Sequence, residues 1–357
     1  MKKVYIQIFL TLLITILFHN TQQAQEQKQD TIGEIAANQE AEIIYNEGIV
    51  KLIQDNDYVS AMKSFSDAIK IKPELDKAWY NIGYIQCTHY NDYTNAEESF
   101  THAINLKPNA NYYLGRGLSR FYLNKFLLAE EDLKEAINLN NKLSNAYYYL
   151  GACNFMNKNY EQAIEYYTSA IQINKNNAYI YNDRGLCYFK LKNYQNALKD
   201  FTKASELKTN LSFIFNNLGA TQMLVGDKNS ARINFEIVAN TTNQTIASLN
   251  NLGAFKSEND DQQGAIENMK KCLEINNKYV PALINMGIAK YRLKDYQGAV
   301  TYFTEAIKID PENAEAYFNR GIAKEMTRDT KGSCDDWKHA STLGIKMAEE
   351  YIKNQCK

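Results

Sequence analysis

FTEAIKIDP (Phe303–Pro311) and, two residues later, AEAYFNRG (Ala314–Gly321) carry the pattern that decides the fold. Gly321 ends a register that runs back through Gly287, Gly253, Gly219, Gly185, Gly151 and Gly117 to Gly83, each 34 residues from the next. Twelve residues after six of these glycines stands an alanine: Ala129, Ala163, Ala197, Ala231, Ala265 and Ala299. Ser333 takes that place in the last unit, and Ala96 comes one residue late after Gly83. Sixteen residues after the glycine comes a large apolar side chain, as in Leu133, Tyr167, Phe201, Phe235, Met269, Phe303 and Trp337. Three further on lies Ala136, Ala170, Ala204, Ala306 or Ala340, with Val238 and Cys272 as substitutes. Pro73, Pro108 and Pro311 end units. A recurrence of this length means one supersecondary unit, repeated.

Each unit reads as two helices. Ala146, Leu150 and Cys153–Phe155 recur at helical spacing, Asn157–Asn159 makes a polar turn, and Ala163, Ile164, Tyr167, Ala170 and Ile171 form a second apolar face. Glycine and alanine at the crossing points let two backbones approach closely. Proline at a unit's end lacks the N–H that a continuing helix requires. One such hairpin cannot bury its apolar face alone, whereas stacked neighbours share a continuous core.

The pattern resembles the tetratricopeptide repeat, with an aromatic at position 4, Gly at 8, Ala at 20, an aromatic at 24, Ala at 27 and Pro at 32. The resemblance implies an all-α, right-handed α-α superhelix of about nine hairpins over residues 41–346, closed by a C-terminal capping helix at 347–357. The first unit, with Gly48 and Ala61, holds one extra residue in its inter-helix turn. The unit around Gly219 lacks the second alanine, and the one around Gly253 has Met269 and Cys272 in core positions. The tail from Ile345 to Lys353 continues as a helix whose Glu349, Glu350 and Lys353 can face water, as the end of a solenoid requires. It resembles the closing unit of exported bacterial repeat proteins.

The N-terminus is a separate object. Lys2 and Lys3 precede an apolar run from Val4 to Phe18 and a polar exit from His19 to Asp30, the layout of a secretory signal peptide. Residues 1–24 are expected as the signal and 25–40 as a linker, which makes the body exported, periplasmic or associated with the cell envelope. The alternative is a membrane anchor over residues 4–18, although a spanning helix needs roughly 20 apolar residues. Without processing, a cytosolic adaptor is the remaining reading. The 357 residues carry 40 Lys+Arg against 41 Asp+Glu, so no basic footprint points to nucleic acid. The 26 tyrosines require an account.

No catalytic, metal-binding or cofactor motif appears, and no small-molecule substrate is implied. The six cysteines contain no CxxC pair. Cys87, Cys153, Cys187 and Cys272 read as small buried apolar residues. Cys334 opens the second helix of the last repeat and Cys356 closes an antiparallel cap, so the two ends should meet as a disulfide candidate. His89, His102 and His339 belong to no HExxH, and Gly115-Arg116-Gly117 has Arg120 where a phosphate loop needs its third glycine. Every acidic residue that can be placed fits a solvated helix face.

In this family the first helix of each hairpin lines the concave face, so the resemblance implies a peptide-binding groove. Its N-terminal half would present Tyr80, Tyr84, Leu118, Phe121, Tyr122, Tyr148, Phe155 and Phe189, large contact area with few rotors to freeze. Its C-terminal half would be polar, with Asn182, Asn216, Asn250, Ser257 and Glu258. At position 6, Asn217, Asn251, Asn285 and Asn319 form a 34-residue series, each a donor and acceptor for a bound main chain. Partners are therefore expected to be proteins met as extended segments, bound without catalysis. A structural solenoid that self-associates through its convex face or open end is the rival. The lysine and asparagine set of chaperone-tail binders is absent from any three consecutive units.

Overall fold

A computed structural model describes residues 34–208, 210–239 and 245–356, in two units, 34–175 and 176–356. The expected signal peptide, and the linker as far as residue 33, lie outside the described residues. Among the described residues the chain is all-α, with nineteen helices and no strand. In the first unit α1 (34–53) pairs with α2 (Tyr58–Ile71), α3 (Asp76–Thr88) with α4 (Tyr93–Leu106), α5 (Ala110–Tyr122) with α6 (Phe126–Leu139), and α7 (Ser144–Met156) with α8 (Tyr160–Ile173). In the second unit the pairs are α9 (Ala178–Lys190) with α10 (Tyr194–Leu207), α11 (Ser212–Leu224) with α12 (Lys228–Ala239), and α13 (Ile246–Glu258) with α14 (Gln262–Ile275). There follow α15 (Val280–Arg292) with α16 (Tyr296–Ile309), α17 (Ala314–Met326) with α18 (Thr330–Thr342), and the single helix α19 (Met347–Gln355). Residues 34–40, expected as linker, are already helical. The stretch from Glu34 to Glu47 holds neither Gly nor Pro and is rich in Glu, Ala and Ile, so nothing delays the helix until Ala41.

The repeated glycine is set by close approach. A Cβ on Gly185 would stand 2.8 Å from the ring of Phe201, one on Gly287 2.6 Å from Phe303, and one on Gly151 2.7 Å from Tyr167. The ring sixteen residues on thus packs directly against the glycine, and Phe201, Phe303 and Tyr167 are almost completely buried there. The alanines between them, Ala163, Ala170, Ala197, Ala204, Ala299 and Ala306, have no exposed surface, which seats the two helices of a hairpin against each other.

Each hairpin turn has one residue in the left-handed region: Asn56, Asn91, Asn124, Lys158, Lys192, Gly226, Asp260, Lys294 and Arg328. The following residue returns its N–H to the end of the first helix, as Lys125 does to Arg120 O (2.8 Å) and Asp295 to Lys290 O (2.9 Å). It also begins the second helix, and where it is aspartate its carboxylate accepts the N–H three residues on, as Asp295 does from Gly298 (3.0 Å) and Asp329 from Gly332 (2.9 Å). The first two turns are one residue longer and reach one carbonyl further back: Asp57 to Lys51 O and Asp92 to Gln86 O. That extra residue is why Ala96 falls late.

At the C-terminus Gly344 (φ +101°) reverses the chain and α19 lies on the last hairpin. Ala348, Tyr351, Ile352 and Ile345 cover Trp337, Ala340 and Phe318. Cys334 and Cys356 are bonded, with Cα atoms 5.7 Å apart.

Candidate functional site

The first helices of three successive hairpins in the first unit enclose a cavity of about 280 Å³. Tyr80 and Tyr84 from α3 and Leu114 and Leu118 from α5 form its walls, and the ring of Phe100 from α4 closes it below. Gly115 opens it, for a Cβ there would come 2.5 Å from Phe100. At position 6, where later repeats hold asparagine, the missing side chain leaves the space empty. Tyr80 is fixed by stacking on Tyr112 (centroids 4.9 Å) and tilting on Phe100 (5.8 Å). Tyr112 in turn donates its hydroxyl to Asp76 (2.7 Å), and burial together with that carboxylate pushes its pKa up. Tyr84 is 43% exposed, an aromatic face turned to solvent beside an apolar hollow. Asn111 and Asn145 stand at the rim, exposed, with carboxamides bonded to no described side chain or carbonyl.

Of the groove residues expected from the repeat, Tyr80, Tyr84 and Leu118 meet at this cavity. Phe189 lines a second cavity, among α9, α11 and α13, and it and the others also make ring contacts of their own. Phe121 packs on Phe126 (5.6 Å) and Tyr149 (5.5 Å), Phe155 on Tyr160 (5.5 Å) and Phe189 on Tyr194 (5.6 Å). Tyr291 and Tyr296 repeat the arrangement at 5.3 Å. In each case an aromatic at position 12 meets another five residues later across the hairpin turn, so these rings staple the two helices of one repeat. Tyr148 is held between Tyr149 and Tyr167, and Tyr122, 46% exposed, stacks on Tyr93 at 4.6 Å. Part of the tyrosine excess is thereby explained.

The asparagine series also differs from expectation. Asn217 donates its amide to the side-chain oxygen of Asn182 (2.9 Å), Asn251 to Asn216 (3.2 Å) and Asn285 to Asn250 (2.9 Å). Position 6 of one repeat is tied to position 5 of the repeat before. Asn182, Asn216 and Asn250, expected on the groove surface, are buried as the accepting partners, and Ser257 is buried against Gln262. Asn319 faces a repeat with Ile284 at position 5 and stands outside this chain of pairs. Each carboxamide at position 6 keeps a carbonyl oxygen and one N–H beyond the pair.

Sequence reasoning missed a recurrent ion pair. Arg116 grips Asp132 through Nε (2.9 Å) and Nη2 (2.7 Å), Arg184 grips Asp200 (2.8 and 2.7 Å), and Arg320 grips Asp336 (2.8 and 2.6 Å). The signal was an arginine beside the repeated glycine and an aspartate sixteen residues later, in three units. Arg116, which a phosphate loop would have left free, is committed to this pair. The described histidines lie on aromatics: His89 stacks on Tyr58, His102 stacks on Trp79, and His339 is tilted against Tyr317. Burial raises the thiol pKa of Cys153 and Cys187 to about 12 and that of Cys272 to about 11, far from nucleophilic thiolates. Among the described residues no cluster of three His, Cys, Asp or Glu side chains could hold a metal ion, and no helix is long and apolar enough to cross a membrane.

Tetratricopeptide-repeat family models match residues 76–109, 144–177, 178–210 and 245–280, and a TPR-repeat model matches 287–327. The first four matched segments coincide with hairpins described above, and the last runs from within α15 through α16 and α17. The chain is a tetratricopeptide-repeat (TPR) protein. No curated protein matches it. Its fold is similar to that of the APC/C hetero-tetramer Cut9–Hcn1, at 14% identity and a TM-score of 0.61 over 89% of this chain and 76% of that one. It is also similar to a TPR protein from Parabacteroides merdae, at 16% identity and a TM-score of 0.53 over 70% of this TPR chain and all but 1% of the other, 99% being covered. PilF from Pseudomonas aeruginosa is a third, at 16% identity and 0.53 over 59% and 96%. At these identities the likeness is one of fold.

Proposed function

We propose that this TPR protein is a non-enzymatic scaffold that holds extended segments of other proteins, and that the cavity of the first unit is its principal contact. The observation that carries the reading is an apolar hollow beside an exposed Tyr84, rimmed by the uncommitted carboxamides of Asn111 and Asn145. An apolar side chain entering the hollow would displace poorly held water, and the carboxamides would bond the main chain on either side. Tyr122 and the position-6 asparagines, Asn217, Asn251, Asn285 and Asn319, would offer further contacts. Ordering an extended segment offsets part of the gain, so affinity near micromolar, roughly -8 kcal/mol, is expected. The signal-like N-terminus and the Cys334–Cys356 bond both support an exported protein of the cell envelope, since such bonds persist in oxidising compartments.

A photo-crosslinking residue at Asn111 tests the reading in the native cell, with one at Lys134 on the second helix of the same hairpin as control. Adducts to polypeptides are expected at 111, weakened about tenfold by Tyr84→Ala, the usual cost of truncating a central aromatic. Adducts that ignore Tyr84→Ala, or that form equally at 134, would overturn it.

A further inference from the structure

The second unit contains an apolar cavity of its own, about 230 Å³, formed by first helices α9, α11 and α13. Its origin is legible at position 9. Six repeats place Ile49, Tyr84, Leu118, Leu186, Ile288 or Ile322 there and one places a lone Ala152, whereas two adjacent repeats place Ala220 and Ala254. The volume those side chains would fill is bounded instead by Phe189, Met223 and the tilted pair Phe235–Phe255 (5.6 Å). At roughly 30 Å³ per water the space equals about eight waters, enough for one branched aliphatic side chain, and its carbon lining gives water few partners.

The rim is polar on one side only. Glu258 is exposed at the edge, and among the described residues no Lys, Arg or His lies within ion-pair distance of it. Arg292, from the next repeat, is committed to the carbonyl of Ser257. Asn251 spends one N–H on Asn216 and keeps its carbonyl oxygen and second N–H. A carboxylate without a cation beside an apolar hollow fits a ligand that brings both an aliphatic group and a positive charge.

We propose that this cavity is a second docking site, for an extended segment in which a residue such as leucine is followed by lysine or arginine. The aliphatic side chain would occupy the space left by Ala220 and Ala254, the cation would face Glu258, and the Asn251 carboxamide would bond the main chain. The inference rests on the reading of the protein as a holder of extended segments, but at a site independent of Tyr84.

The test uses the full chain with 13C-methyl methionine, the Met223 methyl being assigned by its loss in Met223→Leu. Two blocked tetrapeptides serve as probes, acetyl-Gly-Leu-Lys-Gly-amide and its Gly-Leu-Glu-Gly counterpart. The lysine peptide is expected to shift the Met223 methyl at concentrations about fivefold lower than the glutamate peptide, as an exposed charge pair allows. Met269 and Met286, buried elsewhere, should not move. Glu258→Gln should equalise the two peptides, and Ala254→Leu, which restores the usual side chain at position 9, should abolish both responses. Equal response of the unaltered protein to both peptides would reduce the site to an apolar hollow and overturn the proposal, as would a still Met223. A still Met223 with the Asn111 adducts intact removes the second site alone; loss of both removes the segment-binding reading itself.

Discussion

Cys356→Ser releases the end of α19 while leaving its other contacts in place. The bond closes a loop of 22 residues, for which the chain-entropy model gives roughly 3 kcal/mol at 25 °C. That figure matters because the remaining terms nearly cancel. Ordering the nine residues of α19 costs about 1–2 kcal/mol each, on the order of 10 kcal/mol together. Against this stand burial of Ile345, Tyr351, Ile352 and Ala348, roughly 7 kcal/mol, and about five helical hydrogen bonds at ~1 kcal/mol each. The cap alone is therefore marginal, and the disulfide decides whether Trp337 stays covered. Hydrogen exchange on the full chain, oxidised against Cys356→Ser, reads this directly. Amides of α19 should exchange about 100-fold faster in the variant, at 1.4 kcal/mol per decade, with no change in α1–α8, since repeats unfold locally. Unchanged protection of α19 would show that its apolar contacts suffice. Loss of protection spreading at once through α15–α18 would refute the idea of a locally held cap.

Two further outcomes follow from the ion pairs. Asp336 is buried and accepts from both Arg320 and Lys324, so Asp336→Ala strands two cations, themselves only 14% and 19% exposed; about 3 kcal/mol of local destabilisation is expected in α17–α18 by hydrogen exchange, much of it recovered when Arg320→Met is added. In the first unit burial alone would raise the Glu97 carboxyl, but hydrogen bonds from Lys125 and Arg120 outweigh it and hold its pKa below the ordinary carboxylate value. A depressed folded pKa gives stability that is present above the unfolded value of about 4.3 and is lost as pH falls through the folded one. The urea midpoint should therefore fall below about pH 5, and Glu97→Gln should flatten that acid limb; an identical pH profile in the variant would contradict it.

The hairpins were legible because each seats a large side chain on a glycine, a ring in most and Leu133 or Met269 in two. Gly185 beneath Phe201 and Gly287 beneath Phe303 leave a mark every 34 residues that no surface variation erases. Residues whose role depends on a neighbouring repeat left fainter marks. Asn217 and Asn182 are 35 residues apart, so their pairing is invisible within any one unit, and the column of asparagines looked like open ligand-binding surface. The contact between Phe121 and Phe126 was hidden for the opposite reason. They lie five apart across a turn, a spacing at which no helix brings side chains together, yet the left-handed Asn124 turns the second ring back onto the first.

That geometry accounts for the rings that hold the two helices of a repeat together. An aromatic at position 12 followed five residues later by another packs across its own hairpin turn, and Phe189 does so while also bounding the cavity of the second unit. Positions 6 and 9 face the space between successive first helices, and there it is the small residue that matters. Gly115 at position 6 empties the cavity of the first unit, and Ala220 with Ala254 at position 9 empties that of the second. Where Ile288 and Ile322 occupy position 9, half-buried, the same space is filled by the protein's own side chains. On the proposed function, recognition along this kind of stack is written by omission. At both cavities the repeat supplies an aromatic and aliphatic wall, and the proposed entry points for a partner's side chain are those where one of its own has been left out.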